Sequence, residues 1–243
     1  FISPEPGAVG AHPKAFVQAP DVQVFRQFQE WARGAIRILT LAPERPGAEA
    51  LIRYAAQSGV LVSIGHHLAS DEEIARAVRD GARLCTHVGN GIPNLIHRHD
   101  NPLWWQLAND SVSGLFITDG HHLPDDLIAV AFRAKTPDRF IVISDASCLA
   151  GMPPGRYTIF NGLSVVVDET GKIYSEQSQS LAGSHATMLD CMNHLASLGR
   201  LTEKELWQVG FDNPLRLLGI DPARFRKVKA PAVVFENSRF TLA

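Results

Sequence analysis

The 243-residue chain is poor in cysteine, has no long apolar run and carries almost no net charge. Cys85, Cys148 and Cys191 are an odd, scattered set with no Cys-x-x-Cys pair. That argues against a disulfide framework and a structural zinc ribbon, and it fits a reducing compartment, so a cytoplasmic location is expected. No stretch approaches the ~18 apolar residues of a membrane helix, and no membrane partner is expected. Lys plus Arg total 23 against 25 Asp plus Glu, for a formal charge of -2. Non-specific nucleic-acid binding needs a basic surface, so nucleic acid is not an expected partner either. The chain also lacks a Gly-x-Ser-x-Gly elbow, a P-loop and a Gly-x-Gly-x-x-Gly after a strand. Those absences set aside serine-hydrolase, phosphate-loop and dinucleotide-binding schemes.

Short Ile- and Val-rich runs are present at 36–41 (IRILTL), 60–64 (VLVSI), 84–88 (LCTHV), 112–117 (VSGLFI) and 140–143 (FIVI). Their continuous apolarity suits parallel strands buried on both faces. Helical patterns separate them. One covers 48–56; a second covers 71–78 behind Ser70 and Glu73, which have capping-box spacing; a third covers 125–135 behind Pro124. Repeated strand-helix units predict a parallel α/β fold, either a barrel or a doubly wound sheet. After Ala146 the pattern changes. Residues 156–159 and 163–167 around Asn161-Gly162 predict a hairpin, with a third strand after Gly171. Helices are expected at 187–198 and at 203–209 behind Thr202, and strands at 231–235 and 239–242. The division expected is a barrel domain over 1–154 and 179–226, and part of a small β domain over 155–178 and 227–243.

What ends each run is informative. The first closes with Ala42-Pro43-Glu44 and the second with Gly65-His66-His67. The third carries Thr86-His87 and then Gly89-Asn90-Gly91. The fourth ends Thr118-Asp119-Gly120-His121-His122, and the fifth Ser144-Asp145-Ala146. In a barrel the carboxyl ends of all strands converge on one rim, whereas a doubly wound sheet builds its site only at the switch point. Polar endings on nearly every strand therefore favour a TIM-like (β/α)8 barrel. Seven of the ten histidines lie between His66 and His122. A histidine taken alone is usually a surface or core residue, but histidines repeated at strand ends beside an aspartate suit a catalytic divalent metal. His66 and His87 are the best-placed ligands, and Asp145 is the natural general base. Gly183-Ser184 precedes a helical pattern and reads first as an ordinary N-cap, with backbone N–H groups offered to an anion or a sugar hydroxyl as the alternative.

The ordered set FISPE…GAHP (1–13), LAPE (41–44), SIGH (63–66), THVGNGIP (86–93), HR (97–98), TDGHH (118–122), ISDA (143–146), GRYT (155–158), LAGS (181–184) and NPLRLLGI (213–220) resembles the N-acetylglucosamine-6-phosphate deacetylases of the amidohydrolase superfamily. The resemblance implies that His66 and His87 bind metal and that Asp145 is catalytic. Ala11, Asn90, Gly91, Arg98, Asp119, Gly120, His121, His122, Leu181, Ala182 and Gly183 fall at substrate-contacting positions, with Arg98 on the phosphate. It implies a divalent ion (zinc first, with iron, cobalt or manganese as alternatives), an amino-sugar phosphate substrate, and homodimers whose partner helps complete the phosphate site.

Three positions depart from the family pattern. Its Phe-Asn-Ala-Met reads Gly89-Asn90-Gly91-Ile92, its Thr-Asp-Ala-Met reads Ser144-Asp145-Ala146-Ser147, and His67 replaces a small polar residue. The family's His-Leu-Glu-Gly-Pro, whose Glu binds metal, precedes the aromatic that matches Phe1. The expectation is therefore that strands four to eight are present and the first three are not. Hydrolysis of the acetamide of N-acetylglucosamine 6-phosphate is the expected activity. The alternatives are another N-acyl sugar or a cyclic amide as substrate, or a truncated or non-catalytic homologue that only binds sugar phosphate.

Overall fold

The computed structural model describes residues 1–159, 162–177, 180–225 and 232–242. Asn161 of the expected hairpin turn, Pro231 of the expected tail strand, and the domain limits expected at 178–179 and 226–227 lie outside the described residues. The chain forms two compact units, Phe1–Gly114 and Leu115–Ala243.

In the first unit α1 (Val22–Trp31) leads into β1 (Ile38–Leu41), α2 (Ala48–Gln57), β2 (Leu61–Ile64), α3 (Asp71–Asp80), β3 (Ala82–Cys85), α4 (Pro102–Ala108) and the start of β4 (Ser113–Ile117). The strands pair in parallel, with Ile38 opposite Leu61 and Leu84 opposite Ser113. Their side chains enter one core. Leu41, Val62 and Ile64 meet Leu51 and Ile52 of α2, Ile74 of α3 and Phe25 of α1, all nearly inaccessible to water. The expected capping box at α3 is formed. Ser70 Oγ accepts the Glu73 N–H at 3.3 Å, and the Glu73 carboxylate accepts the Ser70 N–H at 2.8 Å. Asp21 caps α1 by accepting the N–H groups of Gln23 and Val24.

The parallel strands follow in the order β1-β2-β3-β4-β5. In the second unit the end of β4 is followed by α5 (Asp125–Arg139) and β5 (Phe140–Ile143), and Phe116 stacks on Phe140 at 4.2 Å. The helix expected over 125–135 is followed by a break at Thr136 (φ 55°, ψ 167°) before Pro137. Proline disfavours helical backbone in the residue before it, and beyond the break Asn213 Nδ2 donates to the carbonyls of Pro137 and Phe140. Three antiparallel strands follow, β6 (Gly155–Thr158), β7 (Ser164–Val167) and β8 (Ile173–Tyr174), in the order β6-β7-β8. Then come α6 (Met188–Ser197), α7 (Glu203–Trp207), a π-helical turn over Gln208–Asp212 and α8 (Asn213–Leu217). The antiparallel pair β9 (Val233–Glu236) and β10 (Arg239–Leu242) closes the unit. Asn193 of α6 pins β10 by exchanging two hydrogen bonds with the Phe240 backbone. Among the described residues no helix is long and apolar enough to cross a membrane.

Candidate active site

In the first unit β2 ends in Gly65-His66 and β3 in Thr86-His87. Both histidines leave their strands with left-handed backbone, φ 52° at His66 and 30° at His87. Such torsions are uncommon outside glycine and persist only where surrounding structure imposes them. They turn the two imidazoles toward each other, Nε2 to Nε2 at 2.9 Å with ring planes at 80°. His66 Nδ1 lies 2.7 Å from the Ala8 carbonyl. A carbonyl only accepts, so Nδ1 carries the proton and Nε2 presents a lone pair, the tautomer a metal-ligating histidine needs. Gly65 must be glycine, because a Cβ there would stand 2.6 Å from Thr86 Cβ and 3.0 Å from Thr40 Cγ2. Beside it the Thr40, Thr86 and Ser63 hydroxyls form a chain, at 2.9 and 2.6 Å.

The N-terminal segment packs here. Ser3 N–H donates to the His66 carbonyl, Gly10 approaches the His66 ring, and His12 meets that ring edge-on with centroids 4.8 Å apart. Ala11, half-buried, stands between them. Gly91 (φ 62°) also closes on both rings; a Cβ there would lie 3.0 Å from His66 and 3.1 Å from His87. Asn90 donates its backbone N–H to the His87 carbonyl, while its side-chain nitrogen is buried with no hydrogen-bond partner. A buried donor left unpaired costs about 1–3 kcal/mol, and such a group suits a ligand acceptor. Arg98 lies in an exposed loop, its carbonyl accepting the Trp104 indole N–H.

Around the pair, His67 is buried against Gln106, ring nitrogen to amide at 2.8 Å. Burial first, then the neighbouring His66 and His87, push its pKa down to about 3, so it stays neutral. Glu44 accepts the Leu68 N–H at 2.8 Å, and burial raises its carboxyl above the ordinary range. No cluster of three or more His, Cys, Asp or Glu side chains able to hold a metal occurs among the described residues. The donor chemistry of the His66–His87 pair nevertheless fits a divalent ion.

The second unit holds another constellation. Asp119 Oδ1 accepts the N–H groups of His121 and His122. Its Oδ2 accepts His122 Nδ1–H at 2.8 Å and the Ser184 hydroxyl at 2.6 Å. The Asp119 and His122 side chains are 1% and 5% exposed. Burial pushes the Asp119 carboxyl up, but the hydrogen bond and charge of His122, with the Ser184 hydroxyl, outweigh it and hold the group well below the usual carboxylate range. Gly120 lies against the His194 ring, and His121 Nε2 lies 3.1 Å from the Thr170 carbonyl. Asp145, exposed at the end of β5, has φ 50°. The 181–183 segment docks on β8, with Leu181 bridging Tyr174 and the Ala182 N–H donating to Ile173, while Gly183 lies against Asp145 and Ser147. Ser184 is not the N-cap expected: α6 is capped by Thr187, and the Ser184 N–H is committed to the Asp145 carbonyl at 2.8 Å. Sequence reading missed the Ser184–Asp119 and His67–Gln106 bonds and the hydroxyl chain. The only signals for them were the serine of LAGS and the polar strand ends.

The structure is thus a parallel α/β fold with histidines and aspartates at its strand ends. No protein-family profile matches the chain. It is 34% identical over 218 residues to N-acetylglucosamine-6-phosphate deacetylase of Lysinibacillus sphaericus, covering 90% of this chain and 55% of that one. It is 30% identical to N-acetylgalactosamine-6-phosphate deacetylase of Escherichia coli O157:H7, covering 87% and 55%. The solved N-acetyl-D-glucosamine-6-phosphate deacetylase of Mycobacterium smegmatis superposes with a TM-score of 0.87 at 25% identity, over all of this chain and 66% of that one. The chain is thus similar to the N-acetylglucosamine-6-phosphate deacetylases and spans about half the length of the curated relatives it matches.

Proposed function

We propose that the protein hydrolyses the acetamide of N-acetylglucosamine 6-phosphate to glucosamine 6-phosphate and acetate. The observation that carries the reading is the His66–His87 pair, two imidazoles set nitrogen to nitrogen by left-handed strand ends, with the His66 tautomer fixed by Ala8. His66 and His87 would hold a divalent ion, zinc foremost. Bound there, such an ion supplies Lewis acidity toward water and the acetamide carbonyl. Asp145 takes the proton of the attacking water and returns it to the departing nitrogen, so that the amine leaves neutral. His122, its Nδ1–H given to Asp119, keeps Nε2 for the substrate. Asn90 gives its buried amide N–H to the sugar, Ala11, Gly91 and 181–183 contact the substrate, and Arg98 pairs with the phosphate. In the same reading β1 to β5 correspond to barrel strands four to eight, 155–178 and 227–243 belong to a small β domain, and the working protein is a cytoplasmic homodimer.

Acetate release from N-acetylglucosamine 6-phosphate, its galactosamine isomer and the unphosphorylated sugars, together with metal content, tests this on the intact protein. Turnover with bound divalent metal is expected. Asp145→Asn should lower kcat by roughly 10²–10⁴ with metal retained, and His66→Ala should lose the metal. Metal-free wild-type protein, or acetate release indifferent to Asp145→Asn, overturns the reading. A second substrate has support: the Escherichia coli relative is named for the galactosamine isomer, and Gly89 and Gly91 replace larger residues of the family pattern beside the histidines. Preference for that isomer in the same assay would select it.

A further inference from the structure

We infer that Ser184 is a positioning residue that sets the Asp145 turn and the Asp119–His122 pair through one peptide unit and one hydroxyl. The inference rests on the deacetylase reading only for what Asp145 and His122 do.

The backbone half of the link is a clamp. Ser184 N–H donates to the Asp145 carbonyl at 2.8 Å, and the Ser147 N–H donates to the Ser184 carbonyl at 2.9 Å. A parallel bridge between Ala146 and Ser184 spans the same turn. Asp145 holds a left-handed φ of 50° without being glycine, a conformation that persists only when its surroundings impose it. Gly183 (φ 73°) makes the approach possible, since a Cβ there would stand 3.0 Å from Ser147 Cβ and 3.1 Å from the Asp145 carbonyl oxygen.

The side-chain half is a relay of hydrogen bonds. Ser184 Oγ accepts the Ala186 N–H at 3.0 Å and donates to Asp119 Oδ2 at 2.6 Å. That same oxygen accepts His122 Nδ1–H at 2.8 Å. The residues are those of a serine triad, but the order differs: the serine donates to the aspartate, not to the histidine, and the histidine donates to that same carboxylate oxygen. Ser184 is 2% exposed, and its hydroxyl is both donor and acceptor, so it positions and does not attack. Asp119 can fix the tautomer of His122 only while its own carboxylate is fixed, and Ser184 supplies a bond from outside the 119–122 turn. One residue thus links the proposed base to the proposed substrate histidine.

The test is Ser184→Ala on the intact protein, read by ¹⁵N NMR of the His122 ring and by steady-state acetate release. In the wild type His122 should show a single tautomer with Nδ1 protonated. In Ser184→Ala a second tautomer or exchange broadening should appear, and kcat should fall roughly tenfold to a hundredfold while KM changes little. If Ser184→Ala does not fold, Ser184→Cys, which keeps the shape and weakens the donor, provides the same readout. Unchanged His122 signals in a folded variant overturn the inference even where acetate release falls. If His122 responds but no N-acetylated sugar phosphate is turned over by the wild type, the linkage stands and the deacetylase reading falls.

Discussion

A carboxylate shut away from water stays ionised only if its lone pairs are filled, and Asp119 meets that condition with four donors. Its folded pKa therefore lies below its unfolded value, and the sign of the linkage follows. The stabilisation is present in full above the ordinary carboxylate value of ~3.9 and is lost as pH falls from there toward the folded value. Asp119→Asn turns an amide donor toward His122 or Ser184. It should cost about 1–3 kcal/mol at neutral pH, a deficit against wild type that shrinks as pH drops below ~4. Urea unfolding of both proteins at neutral and acid pH checks this, and a pH-independent difference would refute it. Residues of this kind divide by how far the sequence can show them. His66, His87 and Asp145 could be picked out because each stands at the end of an apolar run, and the structure adds that all three have left-handed backbone. Ser184 and Gln106 could not, because their partners lie 65 and 39 residues away and nothing local distinguishes them from ordinary polar side chains.

Elements were legible where local rules and burial agree. The apolar runs became β1 to β5, with β2 to β5 buried along most of their length and β1 more exposed. The ends moved where chemistry intervened: β3 stops at Cys85, before the run does, because His87 turns out of the sheet. Helix α1 escaped notice because only Phe25 of its ten residues is buried, and its start depends on a single Asp21 cap. Helix α4 is seven residues long, too short for a periodic pattern, and is set by Asn101 and Pro102. Helix α3 is the opposite case. Its capping box was visible in the sequence, and its acidic first turn and Arg79 near the end complement the helix dipole. Ser70→Ala should remove one reciprocal bond and cost about 1 kcal/mol, seen as a lower thermal midpoint with unchanged far-ultraviolet circular dichroism at low temperature. A loss within ±0.5 kcal/mol, the range of inert surface changes, would show that tertiary packing alone holds the helix start.

At the scale of the whole chain, the parallel sheet begins at β1, and among the described residues no strand pairs with its outer side. Ile38 on that strand is 38% exposed, and Trp31 and Phe16 of the same unit are 69% and 70% exposed. A parallel edge with unused N–H and C=O groups beside apolar side chains is a template for strand addition, and natural edges are normally blunted by charge or cover. A net charge of only -2 offers little electrostatic repulsion against association. The 243-residue chain prepared by itself should therefore associate progressively as its concentration rises. Ile38→Lys, which places a charge on the edge at an already exposed site, should suppress that association while leaving the thermal midpoint nearly unchanged. Light scattering after size-exclusion chromatography makes the measurement. A chain that stays monomeric at every concentration contradicts the argument. So does a single discrete dimer indifferent to Ile38→Lys, which would assign association to another face and fit the homodimer proposed above.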